Sequence, residues 1–146
     1  MIPNAVLNAI QLAVAPIFML AAVAAMIGTV ATRLARIIDR ARELEERLES
    51  ATAKNPRAIH WELDRLKLRG RICNWSVGLL AVCGMLIGAT VMLLFVGETY
   101  FPRIERVVPW TFLGAVGAFV LALLLFLTET LLATHALRFG RNVSPK

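Results

Sequence analysis

Apolar and polar residues fall along this chain in long blocks. Three uncharged apolar runs, 5–32, 72–97 and 107–128, hold 22 to 28 residues each. A bilayer hydrocarbon core about 30 Å thick needs about 20 helical residues to cross it. The pattern therefore predicts three transmembrane helices. Beyond the first run the pattern changes to a helical period. Leu34, Ile37, Ala41, Leu44 and Leu48 recur at spacings of three and four, with charged residues between them. That spacing is a heptad seam, the signature of a coiled coil. Residues 50–56 contain Ser, Thr, Asn and Pro, which end a helix and form a turn. Ile59, Leu63 and Leu66 then resume the seam and lead through Gly70 and Cys73 into the second run.

These elements predict an all-α integral membrane fold as one domain, 1–146. The spans cover about 5–32, 72–97 and 107–132. A helical hairpin at 33–71 continues helices 1 and 2, and a short tail follows at 138–146. A hairpin this short is marginal alone. It is expected to pack against further copies or a partner.

Composition agrees with a membrane protein: 58% of residues are hydrophobic and 18% charged. Charge placement then sets the expected orientation. Segment 33–71 carries eleven Lys/Arg and seven Asp/Glu, the 98–106 loop two Arg, and the tail three basic residues. With the N-terminus outside and the C-terminus inside, fourteen of the sixteen basic residues lie on the cytoplasmic side, as the positive-inside rule requires. The N-terminal residues Met-Ile-Pro-Asn lack the basic region of a cleavable signal, and the run that follows is about twice a signal's length, so span 1 is expected to stay in the membrane. The net charge of +6 does not imply nucleic acid, because no aromatic platform interleaves the basic residues.

Candidate chemistry is sparse. Cys73 and Cys83 stand ten residues apart on one predicted helix, about 15 Å along its axis, too far to bridge. No metal, cofactor or catalytic constellation is visible, and the chain is read as a non-enzyme. Asn4, Asn8 and Gln11 share a helical face that either meets the outer headgroups or lines an outer mouth. Pro16 frees the carbonyl of Leu12 and predicts a kink. Gly84 and Gly88 form a GxxxG motif, and Gly114 with Ala118, Ala21 with Ala25 and Ala24 with Gly28 are small-xxx-small pairs suited to close helix contact. Such contacts serve either the three helices of one chain or a homo-oligomer. Tyr100, Phe101, Trp110 and Trp75 are expected as interfacial anchors, and His60 and Trp61 as surface or packing residues.

Glu129 is the one carboxylate inside an apolar stretch. It is expected either to pair structurally with Arg33, Arg36, Arg69 or Arg71 at the same depth, or to line a pathway. Arg40 and Arg42, with Arg33 and Arg36, are candidates for anionic lipid headgroups.

Several stretches also carry a family resemblance. Ala9-Ile-Gln-Leu-Ala-Val-Ala-Pro16, then Thr32-Arg-Leu-Ala-Arg-Ile-Ile-Asp-Arg-Ala-Arg42-Glu-Leu, then Leu66-Lys-Leu-Arg-Gly-Arg-Ile72, resemble a bacterial family of small three-span membrane proteins of unknown function. Glu129 late in span 3 is a further match. The resemblance implies the three-span layout and a bacterial inner membrane, and it supplies no activity.

Function follows only in outline. The leading expectation is a homo-oligomeric, channel-like protein with ion permeation, whose small-residue faces assemble around an axis and whose polar ends, including Thr29 and Glu129, line its mouths. Its apolar middle would gate by dewetting. The alternative is a membrane-anchored interaction protein whose hairpin binds a partner or anionic lipid. Topology is open to direct test in a background lacking Cys73 and Cys83. A cysteine placed at Ala53 is expected to label only from the cytoplasm, and one at Thr99 only from outside. Labelling of position 53 solely from outside would reverse the assignment.

Overall fold

The computed structural model describes the backbone of residues 4–50, 56–100 and 107–139, and the side chains of 10–50, 56–95 and 107–134. Three helices form this described part: α1 (Asn4–Glu49), α2 (Pro56–Tyr100) and α3 (Val108–Phe139). No strand occurs among the described residues. All three are long and apolar enough to cross a membrane. α1 and α2, at 46 and 45 residues, each run roughly 70 Å at the α-helical rise of about 1.5 Å per residue. That is about twice the hydrocarbon thickness. The expected arms at 33–49 and 56–71 are thus continuations of the membrane helices.

The local chemistry explains the boundaries. α1 passes Pro16 without ending and stops at Glu49. There the Ser50 N–H still bonds the Glu46 carbonyl at 3.0 Å. α2 opens on Pro56. Proline suits the first helical position, where its missing N–H would have no partner and its fixed φ is already helical. Near the start of α3, Trp110 and Thr111 donate their N–H groups to the Val107 carbonyl.

The buried positions recur at intervals of seven. In α1 the row is Pro16, Val23, Val30, Ile37 and Leu44, with Ala13 buried one turn before it. In α2 one row is Leu66, Cys73, Leu80 and Ile87, and a second is Ser76, Cys83 and Thr90. In α3 they are Ala115, Ala122 and Glu129. Seven residues are close to two helical turns, so each row keeps to one face. The opposite faces are apolar too. Only 17%, 22% and 17% of the most apolar stretch of α1, α2 and α3 is buried within the chain. Phe18, Met85, Met92 and Leu113 are among the large apolar side chains left outward. Water would reject such surfaces and acyl chains accept them, so this is a membrane protein in contact with lipid.

The chain divides into two compact units, Met1–Gly28 with Gly78–Ala122, and Thr29–Val77 with Leu123–Lys146. In the first, a Cβ on Gly84 would lie 3.9 Å from both Leu20 Cδ1 and Val23 Cγ1, and one on Gly114 would lie 3.7 Å from Leu86 Cδ1. Thr90 and Thr111 bring their hydroxyl oxygens within 3.1 Å, each also in reach of a carbonyl of its own helix. Buried hydroxyls in an apolar setting need such partners. In the second unit the two hairpin arms meet antiparallel. A Cβ on Gly70 would lie 3.7 Å from Ile37 Cγ2, and Arg40 donates to Glu62 from Nε and Nη2 at 3.1 and 3.0 Å.

The glycines of the GxxxG motif differ. Gly84 faces α1, whereas Gly88 is exposed with nothing among the described residues within 4 Å of a Cβ. Gly84→Leu is expected to destabilise the protomer by about 1–3 kcal/mol through overpacking. Gly88→Leu is expected to leave the protomer's Tm in detergent unchanged. Equal losses in the two variants would remove the distinction.

Candidate functional site

The site is built from one turn of each helix in the second unit. On α3, Glu129 continues the row of Ala115 and Ala122, so the helix phase carries a carboxylate onto the buried face. It is 0% exposed. On α1, Arg33 lies three residues beyond buried Val30. On α2, Arg69 lies seven before buried Ser76, on the same row. These phases aim two guanidinium groups at one carboxylate.

The geometry is that of a clamp. Arg33 Nη1 donates to Glu129 Oε2 at 3.0 Å. Arg69 donates to Oε1 twice, from Nε at 3.1 Å and Nη2 at 2.7 Å. Arg33 Nη1 also donates to the Thr130 hydroxyl at 3.0 Å, and that hydroxyl lies 2.9 Å from the Phe126 carbonyl. The Arg33 guanidinium lies over the Phe126 ring, 4.8 Å from its centroid. Charge, hydrogen bonds and an aromatic face thus all hold Arg33. The side chains of Arg33 and Arg69 stay 39% and 26% exposed, so the cluster is sealed at the carboxylate and open at the arginines.

The open side is a cleft of about 340 Å³ lined by Arg33, Arg36, Ile37, Arg40, Leu66, Arg69 and Glu129. Arg36 has no carboxylate partner among the described residues. Arg40 bonds Glu43 Oε2 at 2.8 Å as well as Glu62. The Arg40 hydrogen bond, then the nearby Arg47 charge, holds the Glu43 carboxyl below its ordinary pKa. Charge is graded along both arms. Residues 33–42 and 65–71 carry eight basic groups and one acidic one, Asp39, whereas 43–64 carry six acidic and three basic. In an antiparallel hairpin, this places the positive end of both arms beside the apolar runs.

Of the arginines read from the sequence as partners of Glu129, the structure brings Arg33 and Arg69 to it. Arg36 lines the adjoining cleft, and Arg71 is exposed. Arg42 is exposed and outside the cleft lining. Gln11 and Thr29 are exposed on α1. Asn4 and Asn8 belong to α1, but their side chains lie outside the described residues, as do the side chain of Tyr100, the 101–106 loop and the 140–146 tail. Trp75 and Trp110 are exposed. His60 is exposed, and Arg65 stacks on Trp61 at 4.0 Å. Both cysteines are free and buried, and no group of metal-ligating side chains occurs among the described residues. Phe126 and Thr130 were not legible as site residues. Their signal is their own spacing: Phe126 and Thr130 are four residues apart, one helical turn, and share a face beside Glu129, where Arg33 meets both.

Residues 13–139 match the family described as a protein of unknown function, DUF2721. The chain belongs to this family. The match covers α1 from Ala13 onward, all of α2 and α3, and every clamp residue. No curated protein and no solved structure matches.

The clamp has a measurable cost of removal. Glu129→Gln is expected to lower stability by about 2–4 kcal/mol, because two arginines lose their common anion. Arg69→Lys is expected to recover only part of the loss seen in Arg69→Gln, since a lysine cannot make the two-pronged contact. Thermal unfolding of the detergent-solubilised protein checks both. An Arg69→Lys variant as stable as wild type would refute the fork geometry.

Proposed function

We propose that the chain is a non-enzymatic, membrane-anchored scaffold. It presents a rigid helical hairpin on the cytoplasmic side of a bacterial inner membrane for a protein partner. Its N-terminus lies outside, in keeping with the basic residues at 33–71. The observation that carries this reading is the saturation of Glu129. A carboxylate that lines a pathway must meet water or the permeating ion. Glu129 instead receives three hydrogen bonds from two arginines and has no exposed surface. This favours an anchor over the homo-oligomeric channel.

Two further features support it. The arms at 33–49 and 56–71 continue helices α1 and α2 without a helix break, so the hairpin is tied directly to the apolar runs. Its α2 arm carries an open groove of about 580 Å³ lined by Trp61, Arg65, Leu68 and Leu132 among others. Trp61 is 62% and Leu68 51% exposed. An aromatic and a leucine beside an arginine suit a partner segment with an apolar anchor flanked by a carboxylate.

The test has two arms. In liposomes the wild-type protein and Glu129→Gln are expected to give no ion flux above protein-free vesicles. Flux that Glu129→Gln alters in an oligomer of unchanged size would overturn the scaffold reading. In intact membranes a photo-crosslinker at position 68 is expected to give one adduct of defined mass, weakened by Trp61→Ala. An adduct of twice the protomer mass would assign the groove to a second copy of the chain instead.

A further inference from the structure

The arginine cleft beside Glu129 has more positive charge than the clamp consumes. Its lining holds four guanidinium groups, Arg33, Arg36, Arg40 and Arg69, and one carboxylate. Glu43 and Glu62 also bond Arg40. Arg33 and Arg69 share Glu129 and Arg40 pairs with Glu43 and Glu62, so Arg36 is the lining guanidinium with no carboxylate partner among the described residues. Arg33, Arg36 and Arg40 are three and four residues apart, so they share one face of α1. Ile37 and Leu66 give the cleft apolar walls. The cleft therefore matches a monoanion with several acceptor oxygens and an apolar attachment.

We propose that this cleft binds the phosphodiester of an anionic phospholipid headgroup. Guanidinium forks match phosphate oxygens, and a phosphodiester carries the single negative charge that Arg36 leaves unmatched. The lipid source follows from position. Arg33 directly follows the apolar run that ends at Thr32, and Arg69 lies three residues before the run that begins at Ile72. Headgroup phosphates stand at that level when acyl chains cover the runs, and basic pockets between membrane helices suit them. The site goes beyond the scaffold reading and would stand if the hairpin engaged no protein.

The test uses the full chain in detergent micelles, with native mass spectrometry as the readout. Dioleoyl phosphatidylglycerol is the probe and dioleoyl phosphatidylcholine the neutral control. The wild-type protein is expected to retain phosphatidylglycerol in preference to phosphatidylcholine. Arg36→Gln should weaken that retention about tenfold. It should not shift the Tm, since Arg36 has no carboxylate partner among the described residues. Arg42→Gln and Arg71→Gln, which remove exposed charges outside the cleft, should change retention by less than about twofold. Equal losses in Arg36→Gln and Arg42→Gln would mean diffuse surface attraction and overturn the proposal. So would retention unchanged in Arg36→Gln. Competition by soluble glycerophosphoglycerol at the same concentration as the lipid would overturn the lipid source and assign the cleft to a soluble phosphodiester.

Discussion

A carboxylate without water needs a cation, and this need organises the second unit. Glu129 has no exposed surface, and its three donated hydrogen bonds come from α1 and α2. Apolar packing alone tolerates small rotations and slides of one helix against another, particularly in lipid, where burial of apolar groups supplies little drive. A charge does not. If α3 turned by one residue, about 100°, the carboxylate would leave both arginines and meet acyl chains. The clamp therefore fixes rotation and register together. Buried polar groups are best attested in this role, as specifiers of register.

The residues around the clamp fit that division of labour. In α3 the buried row is Ala115, Ala122, Glu129: two small residues that permit close approach, then one charge that selects the alignment. In α2 one row is apolar, with Leu80 and Ile87 fully buried. The adjacent row reads Arg69, Ser76, Cys83, Thr90. The hydroxyls on that row can bond within their own helix, as Thr90 does to the Leu86 carbonyl at 2.7 Å. They add polarity without requiring a charge. Arg69 is the member of the row that does require one, and Glu129 supplies it.

The sequence made the helices legible because a bilayer imposes a length and forbids charge, and both can be counted. The hairpin was equally legible, since Leu34, Ile37, Leu44, Leu63 and Leu66 keep the spacing that buries one face. Pairing of Glu129 with arginine followed from the cost of an unmatched charge. The choice among arginines needed helix phase. Arg69 and Arg71 are two residues apart, about 200° around the axis, and only Arg69 shares the row of Ser76 and Cys83. Extending that row back from span 2 would have selected it. Gly84 and Gly88 carry a different lesson. A motif names residues able to meet another helix, but whether one is at hand depends on where α1 lies. Leu20 and Val23 reach Gly84, and none of the described residues reaches Gly88.

The graded charge of the hairpin follows from its antiparallel geometry together with the bilayer. α1 leaves the apolar run through Arg33, Arg36, Arg40 and Arg42 and ends on Glu43, Glu45, Glu46 and Glu49. α2 opens on Pro56 and Arg57, carries Glu62 and Asp64 next, and enters its apolar run through Arg65, Lys67, Arg69 and Arg71. The two arms thus carry opposite gradients in chain order and the same gradient in space. Packing between the arms does not ask for this. Opposite gradients in space would pair the arms more favourably, because each basic stretch would face an acidic one. Like gradients concentrate positive charge at one end, where a single carboxylate on α3 offsets only part of it. The self-repulsion of the hairpin is thus concentrated at the end next to the apolar runs, and Glu129 relieves it there at Arg33 and Arg69.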